Sequence, residues 1–292
     1  LHLGPGLANG LANLHNARKG RTPVVNVVGD HATYHKKYDA QLESDIESLA
    51  RNVSSSIRWC TTPAAVGRDV VETIAAAEGP PGQVATLILP ADVSWGEGGE
   101  VGARAAAAPA ARVDDGVIEE IAAALASGEP ACLLVGGRTG RAEAMAQAAA
   151  IASKSGARIL CETFPARLER GAGRVAVDRL PYLGEMAMAQ LMGLRHLVLV
   201  DAAAPVSFFA YPGKPSDLVP EGCRVHTLCP REGDLPDALA RLAARVGADA
   251  RAVARAPLAR PSAASGPLSA EAVCAVVGEL MPEGAIVSDE AN

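Results

Sequence analysis

Aromatic side chains are scarce in this chain, which has three Phe, four Tyr and two Trp. With so few large rings, a core must be built from Ala, Val, Leu and Ile, which suits small-residue helices packed on valine-rich strands. There is no CxxC pair among the six cysteines (Cys60, Cys132, Cys161, Cys223, Cys229 and Cys274). That excludes a zinc ribbon or a disulfide framework, and buried free thiols in a reducing cytoplasm are the expectation. No apolar run reaches the ~18 residues that a membrane-spanning helix needs. No basic patch stands out, and the net charge is −6. Nucleic acid and anionic membrane surfaces therefore have no electrostatic footprint here.

What is present is a repeated alternation. At the front, LHLGPGLANGLANLHNARKGRTPVVNVVGDH reads as loop, helix, strand and polar loop. Gly4-Pro5-Gly6 reads as a tight turn, and Leu7, Leu11 and Leu14 recur at helical spacing. Pro23 blocks further helix, and Val24, Val25, Val27 and Val28 predict a buried strand. Gly29 ends it and places Asp30, His31, Tyr34 and His35 on the surface, where open α/β sheets put ligands. Ser44 and Asp45 can cap a helix through Ile46, Leu49 and Val53. A strand at 54–60, a helix from Thr62-Pro63 and a strand over 84–89 follow.

The segment 96–112 is rich in Gly and Ala without apolar period and reads as a linker. A second alternating unit then runs through helix 117–125, strand 131–135, helix 141–153 and strand 158–161. After a long loop come helix 183–192, strand 196–200, a second loop, strand 224–228 and helix 235–246. A further Ala-, Arg- and Pro-rich linker, 249–266, leads to helix 268–280 and a strand over 285–287. The chain opens on Leu inside a motif and closes just after that strand, which reads as an internal piece of a longer protein.

Several residue groups have chemical potential. Gly136-Gly137-Arg138-Thr139-Gly140 stands between a strand and a helix, the place for a phosphate. It lacks the GxGxxG spacing, so a tight structural turn is the favoured reading and a nucleotide site the alternative. His31 and His35 are four apart, but Gly29-Asp30 before them and Lys36-Lys37 after them predict a loop rather than a helical metal site. They read as a proton-handling or substrate-facing pair. His2 and His15 read as helix-face residues, and His196 and His226 as structural. Asp39, Glu43, Asp45 and Glu47 form an acidic cluster, with Asp45 and Glu47 assigned to capping and solvation.

The order of parts, GPGxxN, helix, PVVxxxG, a loop with DAxxE, a helix pair and a strand closing at LxxP, resembles one family. It is similar to thiamine-diphosphate-dependent enzymes of the acetolactate synthase large subunit and benzoylformate decarboxylase group. The resemblance covers essentially the whole chain. It implies an α/β fold of Rossmann-like parallel-sheet domains. Residues 1–95 would be the C-terminal part of a pyrimidine-binding domain, and 96–112 a linker. Residues 113–248 would be a complete central domain, 249–266 a linker, and 267–292 the start of a diphosphate-binding domain.

The resemblance further implies thiamine diphosphate and Mg2+ as cofactors, a 2-oxo acid substrate, and a homodimer or homotetramer. The activity would be decarboxylation, carboligation or both, placing the longer enzyme among transferases or carbon–carbon lyases. The family's catalytic glutamate would lie upstream of Leu1 and its metal motif beyond Asn292, so the piece alone is expected to be inactive. Gly4, Pro5, Gly6 and Asn9 match the turn beside the cofactor's pyrimidine end, and Glu290 and Asn292 match the turn near its diphosphate. Asp39, Ala40 and Glu43 match the DAFQE segment, and Gly29–His35 replaces the family's usual loop; His31, His35 and Glu43 are the catalytic candidates. The departures are specific. Gln41 and Leu42 replace the segment's Phe and Gln, and Arg21 stands where benzoylformate decarboxylases carry His. DAAAPVSFFAY (201–211) replaces the segment that accompanies flavin binding, which argues against FAD. A second reading, from a different class, is a non-catalytic module that binds a nucleotide at Gly136–Gly140.

Overall fold

The computed structural model describes residues 1–104 and 108–288. Two all-parallel sheets carry the chain, one of three strands and one of five. The first unit runs α1 (Leu3–Lys19), β1 (Val24–Asp30), α2 (Ile46–Arg51), β2 (Ser56–Trp59), α3 (Val66–Glu78), β3 (Val84–Pro90) and α4 (Ala91–Trp95). Its strand order is β1-β3-β2. The second unit runs α5 (Asp115–Ala126), β4 (Ala131–Val135), α6 (Ala142–Ser155), β5 (Arg158–Cys161), β6 (Asp178–Arg179), α7 (Gly184–Leu191), β7 (His196–Val200), β8 (Arg224–Cys229) and α8 (Leu235–Val246). Its order is β6-β5-β4-β7-β8, with the chain reversing direction across the sheet at β4. A last helix, α9 (Ala270–Leu280), follows.

The second sheet is covered on both faces, so its central strands are continuously apolar. All five residues of β4 and of β7 are buried. Leu133, Val135, Val198 and Val200 face α5, α6 and α8 through Ile121, Ile151, Leu239 and Leu242. Cys132, Leu134, Leu197 and Leu199 face Leu191 of α7 and Leu194. Each such Leu or Val contributes ~1.5–3 kcal/mol by leaving water.

The first sheet is less covered, and here β1 departs from the expected buried strand. Val28 packs with Leu7, Leu14, Ile46 and Ile88 against α1 and α2. On the other face α3 covers β3 through Leu87, Val66 and Val70. Val25 and Val27 stay 38% and 42% exposed. Period-two alternation puts neighbouring valines on opposite faces, and at this sheet edge the face that carries Val25 and Val27 is the more open one.

Three further expectations change. Gly4-Pro5-Gly6 is not a turn but the first turn of α1. Proline is tolerated there because a first-turn N–H has no helical acceptor to lose. Residues 285–287 form no strand, for they have no partner strand among the described residues to pair with. Asp30 is not on the surface but is the last residue of β1, with its side chain fully buried. The 96–112 segment, of which 105–107 lie outside the described residues, is anchored at both ends. Gly67 and Gly102 approach backbone to backbone, and the Ala111 amide donates to the Glu232 carbonyl at 2.9 Å.

Candidate functional site

The carboxyl ends of β1 and β3 open onto a cavity of about 570 Å3. Its lining includes His2 and Leu3 from the start of α1, Asp30, His31, Ala32, Tyr34 and His35 from the loop after β1, Leu42, Leu89, and Ser94 and Trp95 of α4. The loop is held in place by its own ion pairs. Asp30 accepts from the His31 amide at 2.8 Å and from Lys36 Nζ at 2.8 Å. Lys36 Nζ also donates to Glu43 Oε1 at 2.6 Å and lies over the Trp59 ring. Partial burial pulls the Lys36 ammonium down, but the hydrogen bonds to Asp30 and Glu43 outweigh it and raise its pKa. On the far side, Asp92 accepts from the Thr33 hydroxyl at 2.5 Å and the Thr33 amide at 3.0 Å. Those bonds from Thr33 hold the Asp92 carboxyl below the usual carboxylate range.

Two polar atoms in this loop system are buried without a partner: His31 Nε2 and Glu43 Oε2. The His31 and His35 rings lie 5.4 Å apart, centroid to centroid, and His35 is 5.6 Å from Tyr38. So His31 and His35 come together in the cavity wall. Glu43 does not line the cavity but braces Lys36 behind it. Asp39, beside it in the acidic cluster, takes a left-handed backbone with φ 47°. Of the other candidates, Gly4 is buried, and a Cβ on it would overlap the Ser44 side chain. Its missing side chain therefore admits the neighbouring loop. Gly6 packs toward His2 and Leu1, while Pro5 and Asn9 are exposed on α1. Glu290 and Asn292 lie outside the described residues.

Sequence reasoning missed Trp95, Lys36 and His2 at the site. Trp95 sits on a five-residue helix too short to leave a periodic signal. By sequence His2 reads as a plain helix-face residue. It reaches the cavity because it pairs with Gly29 beside β1. Arg21 is not at the cavity at all. It adopts φ 51° and donates from Nη1 to Asp201 Oδ1 at 2.6 Å, tying the first unit to the second.

The Gly136–Gly140 loop lies at the carboxyl end of β4, flanked by β5 and β7, where doubly wound sheets place ligands. Here the chain fills that crevice itself. The Gly137 amide donates to Glu162 Oε1 at 3.0 Å, and the Arg138 amide to Asp201 Oδ2 at 2.7 Å. The Gly136 and Thr139 amides go to the Val200 and Gly136 carbonyls. A Cβ on Gly136 would overlap the Glu162 carboxylate, and one on Gly137, at φ 48°, the Asp201 carboxylate. All four amides that would face a phosphate are spent, so the loop is a structural turn closed by two carboxylates. Burial pushes the Glu162 carboxyl up, partly offset by the Gly137 amide.

His196 and His226 are structural, as expected, but as a buried pair on β7 and β8 rather than flanking residues. His196 Nδ1 and His226 Nε2 are 3.0 Å apart, with Glu129 and Glu120 on the outer nitrogens. No group of three or more His, Cys, Asp or Glu suited to a metal ion occurs among the described residues. No helix among them is long and apolar enough to cross a membrane.

Comparison with known proteins adds a relative in sequence and several in fold. No family model matches the chain. A Mycobacterium tuberculosis (strain ATCC 25618 / H37Rv) protein described as "Putative acetolactate synthase large subunit IlvX" is 55% identical over 296 residues, covering all of this chain. The chain spans 56% of that relative's length. Among solved structures, "a putative thiamin diphosphate-dependent enzyme isolated from Mycobacterium smegmatis" superposes with a TM-score of 0.76 at 21% identity, over 97% of this chain and 58% of that one. Benzoylformate decarboxylase from Polynucleobacter necessarius superposes with a TM-score of 0.69 at 19% identity, over 97% and 56%. These two show a shared fold, and the first relative shows shared sequence. The chain is thus a homologue of a protein described as a putative acetolactate synthase large subunit, over 56% of that relative's length, and it shares its fold with a thiamin diphosphate-dependent enzyme and a benzoylformate decarboxylase.

Proposed function

We propose that this chain supplies one wall of the active site of a thiamine-diphosphate-dependent enzyme that decarboxylates a 2-oxo acid and protonates the product or joins it to an acceptor. The observation that carries the reading is the cavity at the carboxyl ends of β1 and β3, into whose wall His31 brings a buried, unpartnered nitrogen. The cofactor, when bound, supplies the electron sink for the carbanion left by departing carbon dioxide. The described residues fit only part of such a group. The cavity wall offers apolar surface from Leu3, Leu42, Leu89 and Trp95 and an imidazole nitrogen able to meet a ring heteroatom. It offers no acidic cluster for a divalent cation.

Within that wall, His31 and His35, whose ring centroids lie 5.4 Å apart, would hold and move a proton beside the substrate. Trp95 and Leu42 would keep water from the reacting carbon. Lys36, fixed between Asp30 and Glu43, would set the loop's position rather than meet the substrate. Among the described residues the one carboxylate lining the cavity is Asp30, already committed to Lys36 and the His31 amide. None of the described residues there offers a free carboxylate to activate a cofactor. The chain alone, with thiamine diphosphate and Mg2+, should therefore release no carbon dioxide from pyruvate or benzoylformate, and turnover would refute this assignment.

Binding is the direct test. Trp95 lines the cavity and is exposed, so thiamine diphosphate should quench tryptophan fluorescence saturably. His31→Ala, which removes one hydrogen-bonding atom, should weaken binding by about tenfold. An unchanged titration in that variant would take His31 out of the site. A membership of dimers or tetramers, with the second wall from a neighbouring copy, belongs to the same proposal.

A further inference from the structure

All three Phe of this aromatic-poor chain, and two of its four Tyr, gather on one face of the second unit. Phe164, Tyr182, Phe208, Phe209 and Tyr211 form a continuous chain of ring contacts. Tyr182 and Phe208 are 5.2 Å apart, Phe164 and Phe208 5.5 Å, and Phe208 and Phe209 4.6 Å in an edge-on pair. Such rings are usually the first to be buried, yet Phe208 is 56% exposed. The presenting scaffold is firm. Val206 pairs with Asp217 as an antiparallel bridge, the Ser207 amide donates to the Ser216 carbonyl, and the Leu218 amide donates to the Pro205 carbonyl. Gly184 at the start of α7 lets this hairpin close in, since a Cβ there would lie 3.1 Å from Ser207 Oγ.

Between the hairpin and α7 lies a cavity of about 140 Å3. Its lining includes Tyr182, Phe208, Phe209 and Met188, and at its edge the ion pair of Lys214 and Glu185. A cavity of roughly 150 Å3 with apolar walls holds one benzene-sized ring. The ion pair decides what that ring should carry. Lys214 offers a donor and Glu185 an acceptor side by side. A carboxylate would be attracted by one and repelled by the other. A hydroxyl can accept from the ammonium and donate to the carboxylate at once.

We propose that this pocket is a binding site for a single hydroxyl-bearing aromatic ring, a phenol. It shares no lining residue with the cavity around His31, and it goes beyond the activity proposed above. The rings supply edge-to-face and offset-stacked partners, which a saturated ring of equal volume cannot use.

The test is isothermal titration of the 292-residue chain with phenol, benzoate and cyclohexanol, backed by saturation-transfer NMR. Phenol should bind saturably, roughly in the millimolar range for so small a probe. Benzoate and cyclohexanol should each bind at least fivefold more weakly. Phe208→Ala should weaken phenol at least tenfold, and Phe208→Leu, which keeps volume without the ring, nearly as much. His31→Ala should leave phenol binding unchanged. Thermal melts of each variant separate lost binding from lost folding. Equal binding of cyclohexanol and phenol, tighter benzoate, or a Phe208→Leu chain that folds and binds phenol normally would each overturn the proposal. So would absence of phenol binding together with a Phe208-dependent dimer in sedimentation, which would make the face a self-association surface.

Discussion

Replacing Asp201 with Asn should cost this protein several kilocalories of stability, and the reason is local. The Asp201 side chain is fully buried and accepts from Arg21 Nη1 at 2.6 Å, from the Arg138 amide at 2.7 Å and from Arg138 Nε at 2.9 Å. Two guanidinium groups from different units thus depend on one carboxylate. Removing one partner of a buried pair costs about 3–5 kcal/mol because the remaining charge stays desolvated. The lower end applies here, since the Arg138 side chain is 39% exposed and an Asn carbonyl still accepts the Arg138 amide. About 3 kcal/mol corresponds to a drop of about 6–12 °C in melting temperature, at 2–4 °C per kcal/mol for chains of this order of size.

Asn is the informative substitution. Asp201 has φ 52°, a left-handed backbone that Asn tolerates and Ala does not, so Asp201→Asn isolates the charge from backbone strain. Urea melts followed by circular dichroism give the loss. Arg21→Ala alone and with Asp201→Asn completes a double-mutant cycle, which should show a coupling of about 1 kcal/mol or more. Because the pair is buried, 0.5 M salt should change the loss little. A loss below about 1 kcal/mol, or strictly additive single variants, would refute the reasoning that this cluster ties the two units together.

Other expectations follow from the same environments. Burial raises the Glu162 carboxyl above its ordinary value of 4.5. The folded state then disfavours the ionised form, so this group's contribution is full below the unfolded value and is lost as pH rises through the folded one. Glu162→Gln keeps an acceptor for the Gly137 amide, so it should stabilise the protein at pH 8 and lose that advantage at pH 4; urea midpoints at both pH values decide, and the opposite order would contradict the burial argument. Burial also pushes the thiols of Cys60 to about 11, Cys132 to about 12 and Cys161 to about 11. An aromatic disulfide reagent at pH 8 should therefore label exposed Cys274 first, and reach those three only in urea. Fast labelling of Cys132 in the folded chain would show that β4 is not the closed strand described.

Much of the architecture was legible in the amino acids. Strands 131–135, 158–161 and 196–200 and helix 235–246 were read with the bounds they have, because each is a uniform run closed by a turn residue. Asp45 capping α2 through the Ser48 amide was legible for the same local reason. At the site, His31 and His35 could be named from the loop that must follow β1. Their companions Trp95 and His2 could not, since α4 is too short to show a period and His2 arrives by pairing alongside Gly29.

The sequence by itself determined the fold class, the parallel connectivity and the family resemblance, because periodicity and turn chemistry act over a few residues and carry their own signal. Only the tertiary structure decided the rest. It showed that Gly4 gives way to Ser44, that Glu162 and Asp201 close the glycine loop, that Arg21 reaches across 180 residues to Asp201, and that the scarce rings converge on one exposed face. Those are contacts between distant segments, and their energies depend on burial and on which charges meet, quantities that exist only once the strands have been ordered into sheets.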